Sequence, residues 1–151
     1  MAFWIFRCNT DRFNLDAKLV HPDKRGIWQV NKHKKDVHAG DSAFIWQSRK
    51  RGKFSGIRAV CSIDSEPGYF DASCDVPFGT GKGELEPGPF VKITYTDSDV
   101  HVAEDRIRGA LPNLSTLRRP WDGTNFDVKP DEAQVILKMI ADSKSKGPAA
   151  T

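Results

Sequence analysis

Apolar residues in this chain occur mostly in short runs separated by polar, basic or glycine-rich segments, a pattern typical of a sheet protein. The first run is continuous and aromatic, which predicts a strand buried on both faces. In a later run Val91, Ile93 and Tyr95 alternate with polar residues, which predicts one buried face. The runs predict strands over residues 3–8, 27–30, 43–47, 57–63 and 90–96.

Apolar residues recur with helical spacing in three places. Phe13, Leu15, Leu19 and Val20 suggest a weak helix, and residues 103–110 a short one. The last helix is predicted to begin at Pro130, because proline is favoured at the first helical position. Its first turn contains two carboxylates, which complement the helix dipole. The residues that define this helix are Asp131, Glu132, Ala133, Ile136, Leu137 and Ile140.

Four segments show no clear periodicity. Residues 21–26 predict a loop, residues 65–89 a long glycine- and proline-rich excursion, and residues 118–128 an irregular segment. Residues 145–151 predict a disordered tail of small residues. Strands with a few short helices therefore predict an α+β domain over residues 1–144, built around a curved or barrel-like sheet.

Composition favours a folded, soluble chain, because 38% of the 151 residues are hydrophobic and 28% are charged. No apolar stretch approaches the length of a membrane span, so no membrane partner is expected. The N-terminal apolar segment is short and lacks the basic lead of a secretory signal. A cytoplasmic location is therefore predicted.

Catalytic and metal-binding motifs are not apparent in the sequence. Cys8, Cys61 and Cys74 form no CxxC pair and no zinc pattern with the histidines, and buried or idle thiols are expected. The GTGKG segment at residues 79–83 lacks phosphate-loop spacing. No GxSxG or HExxH context arranges a nucleophile or a base. The sequence therefore predicts a binding protein that is not an enzyme and has no cofactor or metal.

Positive charge is concentrated in the connection between residues 47 and 57. The net charge of the chain is only +3, yet this connection contains four cations that could contact phosphates: Arg49, Lys50, Arg51 and Lys53. A solvated hairpin that only aids solubility is the alternative.

The aromatic residues fall into two groups. Trp4, Phe6, Phe44 and Phe90 lie in apolar runs and are expected in the core, and the run that contains Trp46 favours the same interpretation. Trp28 and Trp121 lie near loops rich in cations, where aromatic faces can stack on bases. Packing in the core is the alternative for Trp28.

The order of these motifs resembles an EVE domain, a relative of the YTH domain in the PUA-like group. The resemblance extends from about residue 3 to residue 140. It rests on FRCN at 6–9, GIW at 26–28, AGDSAFIWQS at 39–48, GKFSGIRAVCSI at 52–63, FVKITYTD at 90–97 and GTNFDVKPDEAQVILKMI at 123–140.

The resemblance implies a PUA-like curved sheet or β-barrel flanked by short helices, with a pocket for a modified base at one end. Asn9 matches a residue that hydrogen-bonds the base edge, Trp28 a wall of an aromatic cage, and Gln29 a backbone contact. A second cage aromatic is expected from the long loop, where Phe78 is preferred over Tyr69 and Phe70. The other implied pocket residues are Arg7, Cys8, Thr124 and Asn125, and Trp46 is included as a further candidate.

The function that the resemblance implies is a non-catalytic reader of a modified base flipped out of its stack. A modified cytosine such as 5-methylcytosine in DNA is favoured, with a separate effector or restriction protein as a possible partner. The alternatives are a YTH-like reader of N6-methyladenine in RNA and a PUA-like enzyme acting on nucleic acid. A protein-interaction module with a vestigial pocket is a further alternative.

Overall fold

A computed structural model of the chain describes residues 1–8, 10, 13–30, 35–48, 54–70, 89–118 and 125–145. The strands are β1 (Phe3–Cys8), β2 (Arg25–Gln29), β3 (Ser42–Gln47), β4 (Gly56–Ile63), β5 (Phe90–Asp97), β6 (Val102–Ala103) and β7 (Asn125–Val128). The helices are α1 (Leu15–Val20), α2 (Glu104–Ala110), α3 (Ser115–Arg118) and α4 (Pro130–Ser145).

The strands form one curled mixed sheet in the order β2-β5-β4-β3-β1-β7, and β6 pairs with β4. β1 and β3 are parallel, whereas the other pairs are antiparallel. The register of β4 shifts once against β3 and once against β5. Such irregularities bend a strand and increase its twist, which is consistent with a curled sheet.

Both faces of the sheet are apolar, and different helices cover them. The face called here the α1 face includes Trp4, Phe6 and Cys8, with Leu15 and Leu19 of α1 packed in the same cluster. The opposite face, the α4 face, includes Ile5, Phe44, Trp46, Ile107 of α2 and Ile136 of α4. Successive β1 residues point to opposite faces of the sheet, so burial of both faces requires apolar residues on both sides of the strand. The predictions of a doubly buried first strand and of an α+β fold are confirmed.

The prediction that residues 118–128 are irregular is wrong for Arg118, which ends α3, and for the last four residues. Asn125–Val128 forms β7, which pairs antiparallel with β1. Phe126 and Val128 pack on the α4 face, while the intervening positions are polar. Four alternating residues after a polar, glycine-containing stretch give too weak a periodicity to reveal the strand.

Smaller differences concern the ends of elements. Arg25 and Gly26, predicted in a loop, belong to β2, and Ser145, predicted in the tail, is the last residue of α4. The sequence did not predict β6 or α3, which have two and four residues. Residues 146–151 lie outside the described residues. Among the described helices, none has the length and apolarity needed to cross a membrane.

Gly56 is required where β4 approaches β6. Its φ is +145°, and an added Cβ would lie 2.1 Å from the Val102 carbonyl oxygen. Both the conformation and the close approach exclude a side chain. We expect Gly56→Ala to lower the free energy of unfolding by roughly 2–4 kcal/mol in chemical denaturation.

The matched control is Gly109→Ala in α2. A Cβ at Gly109 would meet no heavy atom within 4 Å. Because alanine is the better helix former, this variant should be more stable by up to about 1 kcal/mol. A Gly56→Ala protein as stable as the parent would contradict the close approach of β4 and β6.

Candidate functional site

The Trp28 ring is anchored against the core. Trp28 lies on β2 opposite Val91 of β5 and is half-buried. Its ring stacks on Phe6, with centroids 5.8 Å apart and an angle of 14° between the planes. Phe6 is fully buried, so it fixes the plane of the indole from one side. Trp28 is therefore a supported aromatic ring that still retains exposed surface.

Two further pocket candidates lie next to this stack. Cys8 follows Phe6 by two residues on β1 and belongs to the same face of the sheet. Asn125 of β7 pairs directly with Phe6, and directly opposed residues point to the same face. Both side chains are buried. We call Phe6, Cys8, Trp28 and Asn125 the Phe6 group.

Polar contacts hold α1 over the same end of the sheet. Gln47 of β3 pairs with Cys8, and its Oε1 accepts a hydrogen bond of 2.6 Å from Arg58 Nη1. The same nitrogen donates to Asp16 Oδ1 of α1 at 2.8 Å. Arg58 therefore links the helix to the sheet beside the Phe6 group.

Arg7, predicted at the pocket floor, is not brought into the Phe6 group. Strand alternation directs its side chain to the α4 face, where Nε donates to Ser48 Oγ at 3.0 Å. Nη1 donates to the Thr116 carbonyl oxygen at 3.3 Å. Burial lowers the pKa of Arg7, and the nearby Glu104 partly opposes this change. These contacts indicate that Arg7 links β1 to Ser48 and α3.

Trp46 is also on the α4 face, directly opposite Arg7 in the β1–β3 register. Its side chain has no exposed surface, so in this conformation the ring cannot stack on a base. Its Nε1 has no hydrogen-bond partner within the described part of the chain. This is the position of a core residue, the interpretation that its apolar run favours.

Gln29, the last residue of β2, is half-buried and pairs with Phe90. Alternation places its side chain on the opposite side of the strand from Trp28. The predicted role of Gln29 is a contact made by its backbone, and the position of its side chain does not test that role. Several other predicted site residues lie outside the described residues: Asn9, Phe78, Thr124, Arg49, Lys50, Arg51 and Lys53.

Two other aromatic candidates from the long loop are described. Tyr69 is 77% exposed, whereas Phe70 is half-buried, with Lys92 Nζ 4.8 Å from its ring centroid. Both follow Gly68, which forms a two-way backbone pair with Phe90. The cation covers Phe70 and leaves Tyr69 the more accessible ring. Cys74 and Trp121 lie outside the described residues.

Two residues near the site were not predicted as functional. Phe6 was assigned to the core, although strand alternation alone places it on the same face as Cys8. Lys18 of α1 is fully buried on the α1 face, with its Nζ 6.0 Å from the Tyr95 ring centroid. Its spacing from Leu15 and Leu19 is the sequence feature that could have identified it as inward-facing.

No set of three or more histidine, cysteine, aspartate or glutamate side chains suited to a metal ion occurs within the described ranges. Cys8 and Cys61 are buried free thiols. The exposed part of the Trp28 ring is instead suited to stacking on a second flat ring.

The sequence profile of the EVE domain matches residues 2–139, which is most of the chain. The chain belongs to the EVE domain family. The resemblance inferred from the motif order is thereby confirmed. Comparison with curated proteins gives no significant match to this EVE domain.

Several solved structures share the fold of this chain. A protein from Leishmania major has a TM-score of 0.68 at 15% identity, over 95% of this EVE domain and 97% of that chain. Human THYN1 in complex with 5-methylcytosine-containing DNA has a TM-score of 0.60 at 10% identity, with coverages of 92% and 97%. The Mmi1 YTH domain in complex with RNA has a TM-score of 0.57 at 11% identity, with coverages of 96% and 80%. The predicted PUA-like fold is confirmed.

Proposed function

We propose that this EVE domain binds nucleic acid and reads a modified base flipped into a pocket beside the Phe6 group, without catalysing a reaction. The observation that carries the proposal is the Trp28 ring, which is fixed on one side by the buried Phe6 and retains exposed surface. Family membership adds support, because similar structures hold 5-methylcytosine-containing DNA or RNA.

The contacts in such a pocket would offset the cost of extruding the base. Extruding a base costs a few kcal/mol, and stacking on one aromatic ring returns about 1–3 kcal/mol. The amide group of Asn9 would read the base edge, since an amide both donates and accepts, and Asn125 would close the pocket from beside Phe6. A buried group that loses its partner is costly, so an unmatched base edge would be rejected.

Positive charge would hold the backbone on either side of the flipped nucleotide. We assign this role to Arg49, Lys50, Arg51 and Lys53. Phosphate contacts position a protein without reading sequence. These residues should therefore strengthen binding to modified and unmodified ligands equally, while the pocket supplies the preference.

We favour 5-methylcytosine in DNA as the ligand. The proposal also includes a cytoplasmic location and a separate effector protein as a partner. The similarity to THYN1 in complex with methylated DNA supports the choice of ligand. Recognition of N6-methyladenine in RNA is the second candidate, supported by the similarity to a YTH domain in complex with RNA.

The test is a binding panel. Fluorescence anisotropy would compare oligonucleotides with 5-methylcytosine, 5-hydroxymethylcytosine, N6-methyladenine or no modification, as single and double strands of DNA and RNA. One methyl group contributes roughly 1–3 kcal/mol in a fitted pocket, so a preference of about 10- to 200-fold is expected for methylated DNA. Tighter binding to methylated adenine in RNA would select the second candidate.

The same panel separates the other classes of function. Incubation with a divalent metal should leave every oligonucleotide intact. Turnover that disappears on substitution of a single aspartate, histidine or cysteine would overturn the proposal in favour of an enzyme. No binding in any modification state would favour a protein-interaction module.

A further inference from the structure

A polar cleft of about 190 Å³ lies at the free edge of β7, between α3 and the start of α4. Its lining combines cations, carboxylates and neutral hydrogen-bonding groups: Asn113, Ser115, Arg118, Asp127, Lys129 and Glu132. Neither the sequence motifs nor the proposed pocket accounts for this cleft.

Two main-chain groups of the cleft have side-chain partners. Ser115 Oγ donates to the Asp127 carbonyl oxygen at 2.8 Å, and Lys129 N donates to Glu132 Oε1 at 2.9 Å. The second bond caps α4 with a carboxylate, which complements the helix dipole. We therefore consider the side chains of the cleft, and not the helix terminus, as the groups that hold a ligand.

The two cations of the cleft, in contrast, have exposed side chains. Arg118 and Lys129 are exposed, and neither side chain forms a hydrogen bond or an ion pair with any residue in the described part of the chain. Arginine offers a planar fork of donors that matches phosphate, and lysine adds a point charge. Asn113 supplies a further neutral donor at the rim.

Two carboxylates limit what the cleft can hold. Among the described lining residues, Glu132 and Asp127 offset the charge of the two cations, so directed hydrogen bonds contribute to the selection of a ligand. A singly charged phosphodiester suits this balance better than a free phosphate with two charges. Asp127, which is exposed, should oppose anion binding.

The cleft is connected to the Phe6 group by β7. Asn125 begins the strand beside Phe6, and Lys129 follows its last residue. Four residues of strand span about 13 Å. The cleft is therefore within reach of the backbone of a nucleic acid whose flipped base lies beside the Phe6 group.

We infer that this cleft contacts a backbone phosphate of DNA, through Arg118 and Lys129, while the flipped base lies beside the Phe6 group. The inference rests on the proposed function and adds a site of backbone contact to it. The predicted contact is independent of sequence and of methylation.

The test is Arg118→Gln combined with Lys129→Gln. Anisotropy titrations would use a 16-base-pair duplex with one central 5-methylcytosine and its unmodified counterpart. We expect about tenfold weaker binding to both, since a hydrogen bond to a charged group is a strong contact. The slope of log affinity against log salt should become shallower by about 0.9 for each phosphate that the variant no longer neutralises.

Two controls make the test specific. Arg106→Gln with Lys138→Gln removes the same charge from exposed sites elsewhere and should have little effect. Asp127→Asn should tighten binding, because it removes a repulsive charge.

The inference is overturned if the double variant matches the parent in affinity and salt slope, or if Asp127→Asn weakens binding. It is also overturned if the control pair Arg106→Gln and Lys138→Gln weakens binding as much as the double variant. Failure of the proposed function looks different, because the parent would then show no preference for the methylated duplex at all.

Discussion

Trp28→Ala is expected to weaken binding to a 5-methylcytosine duplex by roughly 5- to 150-fold and to remove most of the preference over the unmodified duplex. The magnitude follows from the roughly 1–3 kcal/mol that stacking on one aromatic ring contributes. Anisotropy titrations with both duplexes would measure it. Binding of the unmodified duplex, which depends on phosphate contacts, should change little.

The matched variant is Trp28→Phe, which keeps a flat ring above Phe6 and should retain much of the preference. Thermal unfolding must be measured in parallel, because Trp28 also packs on the core. Truncation of a fully buried tryptophan costs roughly 3–5 kcal/mol, and a half-buried one should cost less. Lower stability with unchanged affinity per folded molecule would show that Trp28 is only a packing residue.

Asp41→Ala is expected to lower the free energy of unfolding by about 3–4 kcal/mol and the melting temperature by about 10 °C. The Asp41 carboxylate is buried and accepts hydrogen bonds from Ala2 N at 2.9 Å, His38 N at 3.0 Å and Trp4 Nε1 at 3.1 Å. These bonds fix the point where the parallel strands β1 and β3 begin. Removing the carboxylate leaves the buried Trp4 Nε1 without this acceptor.

The effect should depend on pH in a defined direction. Burial alone raises the pKa of Asp41, but the hydrogen bonds from Ala2, His38 and Trp4 and the charge of His38 outweigh it, so the pKa lies below its ordinary value of 3.8. A carboxyl with a lowered pKa stabilises the fold above its unfolded pKa and loses that contribution as pH falls through the folded pKa. The difference in unfolding free energy between parent and variant should be constant near neutral pH and shrink below about pH 4.

Asp41→Asn provides the control. Its amide oxygen preserves one hydrogen-bond acceptor, whereas its NH₂ group is a donor and cannot accept the hydrogen bonds that the second carboxylate oxygen accepts. Its stability should lie between those of the parent and Asp41→Ala. Chemical denaturation at pH 7 and pH 3 would measure both variants. Equal stability of all three proteins at pH 7 would contradict the role of the carboxylate.

The elements with strong periodicity were predictable from the sequence. Phe3–Cys8 is apolar at every position except Arg7 because both sheet faces at β1 are buried. Pro130 with its two following carboxylates located the start of α4, and Glu132 does accept the Lys129 N–H. Local chemistry determines such features, so they can be recognised without knowledge of distant contacts.

Part of the candidate site could also be predicted. The motif order identified the EVE family, and thus Trp28, Cys8 and Asn125 as candidates. The pattern could not say that Phe6 supports the Trp28 ring, because β1 and β2 meet through the curl of the sheet. The pattern also could not predict that Arg7 and Trp46 lie on the α4 face. Both faces of these strands are apolar, and the sequence does not say which helices cover each face.

Residue order alone was sufficient to locate the strong strands, the last helix, the family and the clustering of positive charge between residues 47 and 57. The folded chain was needed to learn that β1 lies between a parallel β3 and an antiparallel β7, which brings Asn125 beside Phe6. It was also needed to learn that Arg118 and Lys129 line one cleft. The difference arises because periodicity along a chain records which side of a segment is buried, whereas the choice of neighbour depends on packing between residues far apart in sequence.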